Sequence, residues 1–244
     1  MNMNLWNLLA EVKKNCTFVE LSHVVSPETP HWSGFPAMKN VVYYSYDNDG
    51  FYANEYHMVS QYGTHVDAPC HFVIEGKSVD EIKAEEMILP LCVVDITGKV
   101  FEDEDYAASV RDIKEWELEH GKIPAGSFVA LRTDWSKRED MDNCDEEGDK
   151  HYPGWALDTV KFLVEDRNVA AIGHETSDTD PAVVGGGEGF IAEAYLLEQG
   201  RFQIELLRNL DQVPPAGALI VCGFPMIKGG SGSTARCIAI CKNE

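Results

Sequence analysis

Apolar residues along this chain recur in short runs of strand length. Residues 41–46, 89–96, 128–131, 169–172, 219–222 and 237–241 are rich in apolar, mostly β-branched or aromatic side chains and end near Gly, Pro or Asp, which predicts strands. Residues 18–25 read as one more. Two segments keep a helical period instead. Ser109 precedes Val110-Arg111-Asp112-Ile113 as an N-cap pattern, and Val110, Ile113 and Trp116 share one face before Gly121 stops the helix. The second helix runs from Leu157 to about Arg167, with Val160, Leu163 and Val164 as its apolar face. It passes almost directly into the strand at 169–172. Many strands with a few interposed helices predict a mixed α/β, strand-rich fold.

One polar row stands out against this background. In the run SQYGTHVDAPCHF, residues 60–72, alternate positions are Gln61, Gly63, His65, Asp67, Pro69 and His71. In an extended segment these side chains line one face, while Tyr62, Thr64, Val66, Ala68 and Cys70 line the other. His65 and Asp67 then stand about 7 Å apart along the strand, close enough to converge on one ion. Gln61 joins them only where the chain bends, which Gly63 permits. A hydrogen-bonded cluster is the plain alternative for two histidines beside an acid.

This run resembles the signature of the metal-dependent cyclase family, H-x-G-T-H-x-D-x-P-x-H, which includes bacterial kynurenine formamidases and isatin hydrolases. Every defined position agrees except the first, where Gln61 stands for the usual His. The likeness covers most of the chain. Residues 18–25 and Ser26-Pro27-Glu28-Thr29-Pro30-His31-Trp32 are similar to the family's opening strand and proline-rich loop. Leu131-Arg132-Thr133-Asp134-Trp135, Tyr152-Pro153-Gly154 and Gly232-Ser233-Thr234-Ala235-Arg236 match later elements. Gly173-His174-Glu175-Thr176 replaces a Gly-Ile-Asp-Thr-like turn. Leu196-Leu197 and Glu205 keep the spacing to a metal-ligand Glu, with Glu193 where the family has His.

The resemblance implies a swivelling β/β/α fold, and with no linker, repeat or low-complexity block interrupting the chain a single domain, 1–244, is expected. It carries His65, Asp67 and Glu205 onto metal ligands, with Gln61 and Glu193 as further oxygen donors. Such an oxygen-rich set suits one Mn²⁺ ahead of Zn²⁺. His71 matches the family's proton shuttle. Trp32, Phe35 and Trp135 resemble positions near the pocket mouth, where an aromatic substrate would stack. His174 is open to three readings: facing the substrate, orienting a metal ligand, or forming a strand-end turn. The implied activity is hydrolysis of a small amide, formamide, cyclic amide or lactone by metal-activated water, in the manner of kynurenine formamidase or of an isatin-hydrolase-like ring-opening enzyme. A non-catalytic metal- or ligand-binding member of the fold is the rival, and retention of His71 argues against it. The family also implies a homodimer or homotetramer whose neighbours help close the pocket.

Bulk properties narrow the partners. A net charge of −21 and a pI near 4.6 argue against nucleic acid, which needs clustered Lys and Arg. The acidic runs 102–105 and 139–149 read as solvated loops. The seven cysteines form no Cys-x-x-Cys pair, and Cys92, Cys222, Cys237 and Cys241 lie in apolar runs, so buried free thiols are expected. The glycine-rich stretches 185–189 and 229–233 lack P-loop and dinucleotide-binding patterns and read as loops bordering the site. With no signal-peptide pattern and no long apolar span, the expectation is a cytoplasmic protein acting on a small-molecule substrate, without membrane association.

Overall fold

The computed structural model describes residues 4–184 and 189–243. Its strands are β1 (Cys16–Glu20), β2 (Lys39–Tyr44), β3 (Ala53–His57), β4 (His65–Asp67), β5 (Ile88–Asp95), β6 (Ala107–Ala108), β7 (Phe128–Arg132), β8 (Gly154–Trp155), β9 (Ala171–His174), β10 (Phe202–Glu205), β11 (Ala218–Gly223), β12 (Gly232–Thr234) and β13 (Arg236–Lys242). Nine of them form one sheet in the order β1-β13-β11-β5-β7-β9-β10-β4-β12. Its centre, β5-β7-β9-β10, is parallel. The flanking pairs are antiparallel.

Parallel strands are covered on both faces, and the apolar runs 89–96 and 128–131 are continuous for that reason. Leu91, Val93, Phe128 and Ala130 enter one core, whereas Cys92, Val94, Val129 and Leu131 enter the other. The second core lies under the helices Val110–His120, Leu157–Lys161 and Ile191–Glu198, which contribute Ile113, Val160 and Leu196. The first is enclosed by the sheet itself. β12 and β13 are joined by Ala235 alone, yet they stand near opposite ends of the strand order. The sheet therefore curls until its ends meet, and the Ala235 N–H donates to the Thr64 carbonyl at the seam. This is the strand-rich mixed α/β architecture expected.

Several local expectations shift. Val169 and Ala170 precede β9, which runs on to His174. The second helix turns from α to π geometry over Phe162–Asp166. Of the opening run 18–25 only residues 18–20 are strand, within β1 (Cys16–Glu20). A helix at Leu5–Asn15 went unpredicted, although Asn4 caps it and Leu5, Leu8, Leu9 and Val12 fall at helical spacing; it buries no residue. The polar row at 60–72 is not one flat face: Gly63 takes φ 63°, β4 spans His65–Asp67 alone, and Pro69–His71 coil into a 3-10 turn. Residues 185–188 of the first glycine-rich stretch lie outside the described residues, and the end of the second, Gly232 and Ser233, is strand β12 rather than loop. All seven cysteines are free, and Cys92, Cys222, Cys237 and Cys241 are buried. No helix of the described residues is long and apolar enough to cross a membrane.

Candidate metal centre and cleft

Strand pairing assembles the centre. β4 and β10 run antiparallel, with Asp67 opposite Gln203 and His65 opposite Glu205. Opposed side chains in such a pair share a face, so residues 136 positions apart, Asp67 and Gln203, touch. His65 Nδ1 lies 2.8 Å from the Gly63 carbonyl. A proton donated there leaves the Nε2 lone pair facing inward. His65 Nε2 stands 3.4 Å from Asp67 Oδ2 and 3.3 Å from Glu205 Oε2.

A second group overlaps the first. The ligand-type atoms of His65, Asp67 and Glu205 lie within 4.8 Å of one another, and so do those of Asp67, His71 and Glu193. Glu193 sits in the first turn of the helix Ile191–Glu198. Asp180 fixes that helix end by accepting from the N–H groups of Ala192 at 2.8 Å and Glu193 at 3.2 Å. Gln203 Nε2 donates to Glu193 Oε1 at 2.9 Å, Glu205 Oε1 at 3.0 Å and Asp67 Oδ2 at 3.2 Å.

The electrostatics call for a cation. Asp67, Glu193 and Glu205 are all buried, and Asp67 Oδ1 has no hydrogen-bond partner among the described residues. Burial, then the charges of Glu205 and Asp67, push the Glu193 carboxyl well above its ordinary pKa. Burial opposes a charge on His65, but Asp67 and Glu205 overcome it and hold the ring well above the usual histidine value. Three buried carboxylates and an inward-facing imidazole fit a divalent ion, because buried charge is tolerated only when paired or metal-bound.

The other expected residues separate. His71 is partly exposed, with Nε2 3.9 Å from Asp67 Oδ1. Gln61, expected among the metal donors, is set against His71: its Nε2 lies 3.4 Å from His71 Nδ1 and 3.1 Å from Ser231 Oγ, and its oxygen accepts from Ser60. Gly232 makes room for it, since a Cβ there would meet Gln61 Nε2 at 2.7 Å. Of the three readings of His174, the substrate-facing one does not hold. His174 is fully enclosed at the end of β9, with Nε2 3.4 Å from Glu205 Oε1, so it backs the metal-ligand candidate instead. Its neighbour Glu175 accepts from the N–H groups of Thr133 and Asp134, both at 2.7 Å, and ties down the Arg-Thr-Asp-Trp turn. Trp135, expected near the pocket mouth, is buried in the core.

Above the carboxylates lies a cleft of about 310 Å³ whose aromatic walls are Trp32, Phe35, Phe72 and Phe190. Trp32 and Phe35 meet edge to face at 5.0 Å, and Phe72 and Phe190 at 5.9 Å. Lys150 Nζ donates to Ser33 Oγ at 2.7 Å, beside the Trp32 ring. Ser177 and Asp178 complete the polar lining. Sequence reasoning missed Phe72, Phe190, Gln203, Asp178 and Asp180. A signal existed for Gln203 alone, which stands two positions before Glu205 on one strand and so shares its face. A separate cavity of about 390 Å³ beside the helix Val110–His120 holds groups already paired, Lys99 with Asp112 and Arg132 with Asp95.

The chain is similar to known proteins. An isatin hydrolase of Roseibium aggregatum is 35% identical over 207 residues, spanning 80% of this chain and 78% of that one. A kynurenine formamidase of Salinibacter ruber is 27% identical over 90% of this chain and 95% of its own. Isatin hydrolase A from Ralstonia solanacearum superposes with a TM-score of 0.91 at 33% identity, covering 99% of this chain and 98% of that one. Fold and relatives together define a hydrolase. The chain belongs to the cyclase family, whose family model matches residues 19–181.

Proposed function

We propose that this chain is a metal-dependent amide hydrolase that opens a small aromatic lactam of the isatin class. The observation that carries this reading is the His65, Asp67 and Glu205 cluster on the floor of an aromatic-walled cleft. His65, Asp67 and Glu205 would hold a divalent ion, with Glu193 beside them, and the oxygen-rich donor set favours Mn²⁺ ahead of Zn²⁺. A divalent ion bound there supplies an acidified water and polarises the amide carbonyl. The rings of Trp32, Phe35, Phe72 and Phe190 stack on a flat bicyclic substrate and exclude water from it.

His71 serves the leaving nitrogen. Gln61 Nε2 lies 3.4 Å from His71 Nδ1, so His71 Nε2 is the ring nitrogen on the carboxylate side of the cleft. In its cationic form the ring can protonate the amine as it departs.

The oligomer belongs to the same reading. Every residue of β2 is exposed, and the β2-β3 hairpin displays Val41, Val42, Tyr43, Tyr44 and Tyr56 to solvent. A lone hairpin is marginal in water, and a second copy of this chain is the partner that covers it. The protein is assigned to the cytoplasm.

The test uses protein purified without chelator or a nickel column. Bound Mn²⁺ with isatin turnover that EDTA abolishes supports the reading, and turnover of N-formylkynurenine alone moves it to formamidase. Stoichiometric metal with no hydrolysis of isatin, N-formylkynurenine or simple lactones overturns it in favour of a binding protein. Light scattering reads the oligomer, and a monomer overturns that part.

A further inference from the structure

One wall of the cleft carries polar groups that the metal centre and His71 do not use. Asp178 and Ser177 both line the cleft, and both are more than nine-tenths buried. Neither belongs to the two ligand-type groups around Asp67. Asp178 is held from behind, because the hydroxyl of buried Tyr152 makes a short hydrogen bond to its Oδ2. Among the described residues nothing donates to its other oxygen, Oδ1. The Ser177 hydroxyl is likewise buried without a partner among the described residues. A buried polar atom with no partner is costly, and the Ser177 hydroxyl beside the undonated Asp178 oxygen in a ligand-sized cleft marks a place where a polar ligand completes the bonding.

We propose that Asp178, positioned by Tyr152, is the specificity-determining acceptor for the N–H of the substrate's scissile amide, so that the cleft selects lactams bearing N–H over N-alkylated lactams and lactones. This inference rests on the amide-hydrolase reading above. Tyr152 occupies Oδ2, so the free oxygen is the one available to the cleft. Whether the proton of the Tyr152–Asp178 pair sits on the phenol or on Oδ2, Oδ1 keeps a lone pair for an N–H. A site built to bond an N–H rejects the analogue lacking it far more strongly than an apolar wall rejects an extra methyl group.

The predicted signature is kinetic. Ring opening breaks the bond between carbonyl and nitrogen, while the N–H bond persists from lactam to aniline product. An acceptor for that hydrogen therefore binds ground state and transition state alike, and its loss raises KM more than it lowers kcat.

Isatin and N-methylisatin are compared as substrates of the metal-loaded wild type, Asp178→Ala and Tyr152→Phe, with metal content measured alongside. Asp178→Ala is expected to raise KM for isatin roughly ten- to hundredfold, the cost of leaving the substrate's buried N–H without its partner. KM for N-methylisatin should stay within about twofold, with bound metal unchanged. Tyr152→Phe should move KM for isatin the same way by a smaller factor. Equal loss on both substrates, or a wild type that prefers N-methylisatin, overturns the proposal while leaving the amide-hydrolase reading intact. Failure of the wild type on both substrates overturns the reading itself. Should Asp178→Ala not fold, the wild-type preference and Tyr152→Phe decide.

Discussion

Thr179 Oγ1 donates to Gln203 Oε1 across 2.5 Å, and this bond turns the amide nitrogen of Gln203 toward Glu193 and Glu205. Without the hydroxyl the amide oxygen loses its donor, while the amide nitrogen still faces three acids. Thr179→Val is therefore expected to lower the stability of metal-free protein by about 1–3 kcal/mol, the cost of an unpaired buried polar group. Gln203→Leu should cost at least as much, since it strips a shared donor from three acids. Urea denaturation in EDTA measures both, and unchanged midpoints would refute the role given to the pair.

His65 and His71 should separate metal binding from catalysis. His65→Ala removes an imidazole that stands within 3.4 Å of two carboxylates, and bound metal should fall well below one ion per chain. His71→Ala is expected to cost roughly 10²–10⁴ in kcat, the range for a general acid, with at least one ion retained. Elemental analysis beside steady-state rates checks this, and loss of all metal in His71→Ala would sink the proton-shuttle assignment.

Asp180 caps the helix that carries Glu193. Asp180→Ala should destabilise the protein by about 0.5–2 kcal/mol, as for other N-cap losses. Asp180→Asn retains an acceptor and should recover much of that difference in a thermal melt. Equal melting of all three proteins would contradict the capping role.

Glu117 and Arg167 predict an acid-side loss of stability away from the cleft. Arg167 Nε and Nη2 bond the two carboxylate oxygens at 2.6 and 2.8 Å. These bonds hold the Glu117 pKa below its ordinary value of 4.5 against the opposing effect of burial. A carboxyl with a folded pKa below its unfolded value contributes stability that is present above the unfolded value and is lost as pH falls through the folded one. The gap in urea midpoint between wild type and Arg167→Gln should thus be full above about pH 5 and should shrink toward pH 3. A gap independent of pH would contradict the pairing.

Legibility in the sequence followed the range of the interaction. The runs that became β5, β7, β11 and β13 were readable because burial on a strand leaves its mark within a few residues. Ser109 announced its helix for the same reason, since the bond from its N–H to Asp112 spans three positions. The helix Leu5–Asn15 carried a local mark as well, the Asn4 cap and Leu5, Leu8, Leu9 and Val12 at helical spacing, and it went unread although the helix buries nothing. The flat row from Gln61 to His71 failed where backbone geometry left the strand, at Gly63 with φ 63° and at the 3-10 turn over Pro69–His71.

The sequence by itself determined the family, the class of fold, and His65 and Asp67 as a closely spaced donor pair, because a strand's two-residue period is a local property. Glu205 entered through resemblance alone. Only the tertiary structure decided that Glu205 and Gln203 stand opposite His65 and Asp67, that Gln61 serves His71, that His174 lies behind Glu205, and that Asp178 faces the cleft. Those relations depend on which strands of the curled sheet become neighbours and in what register. Register is set by the packing of the whole sheet, and no short window of residues contains it.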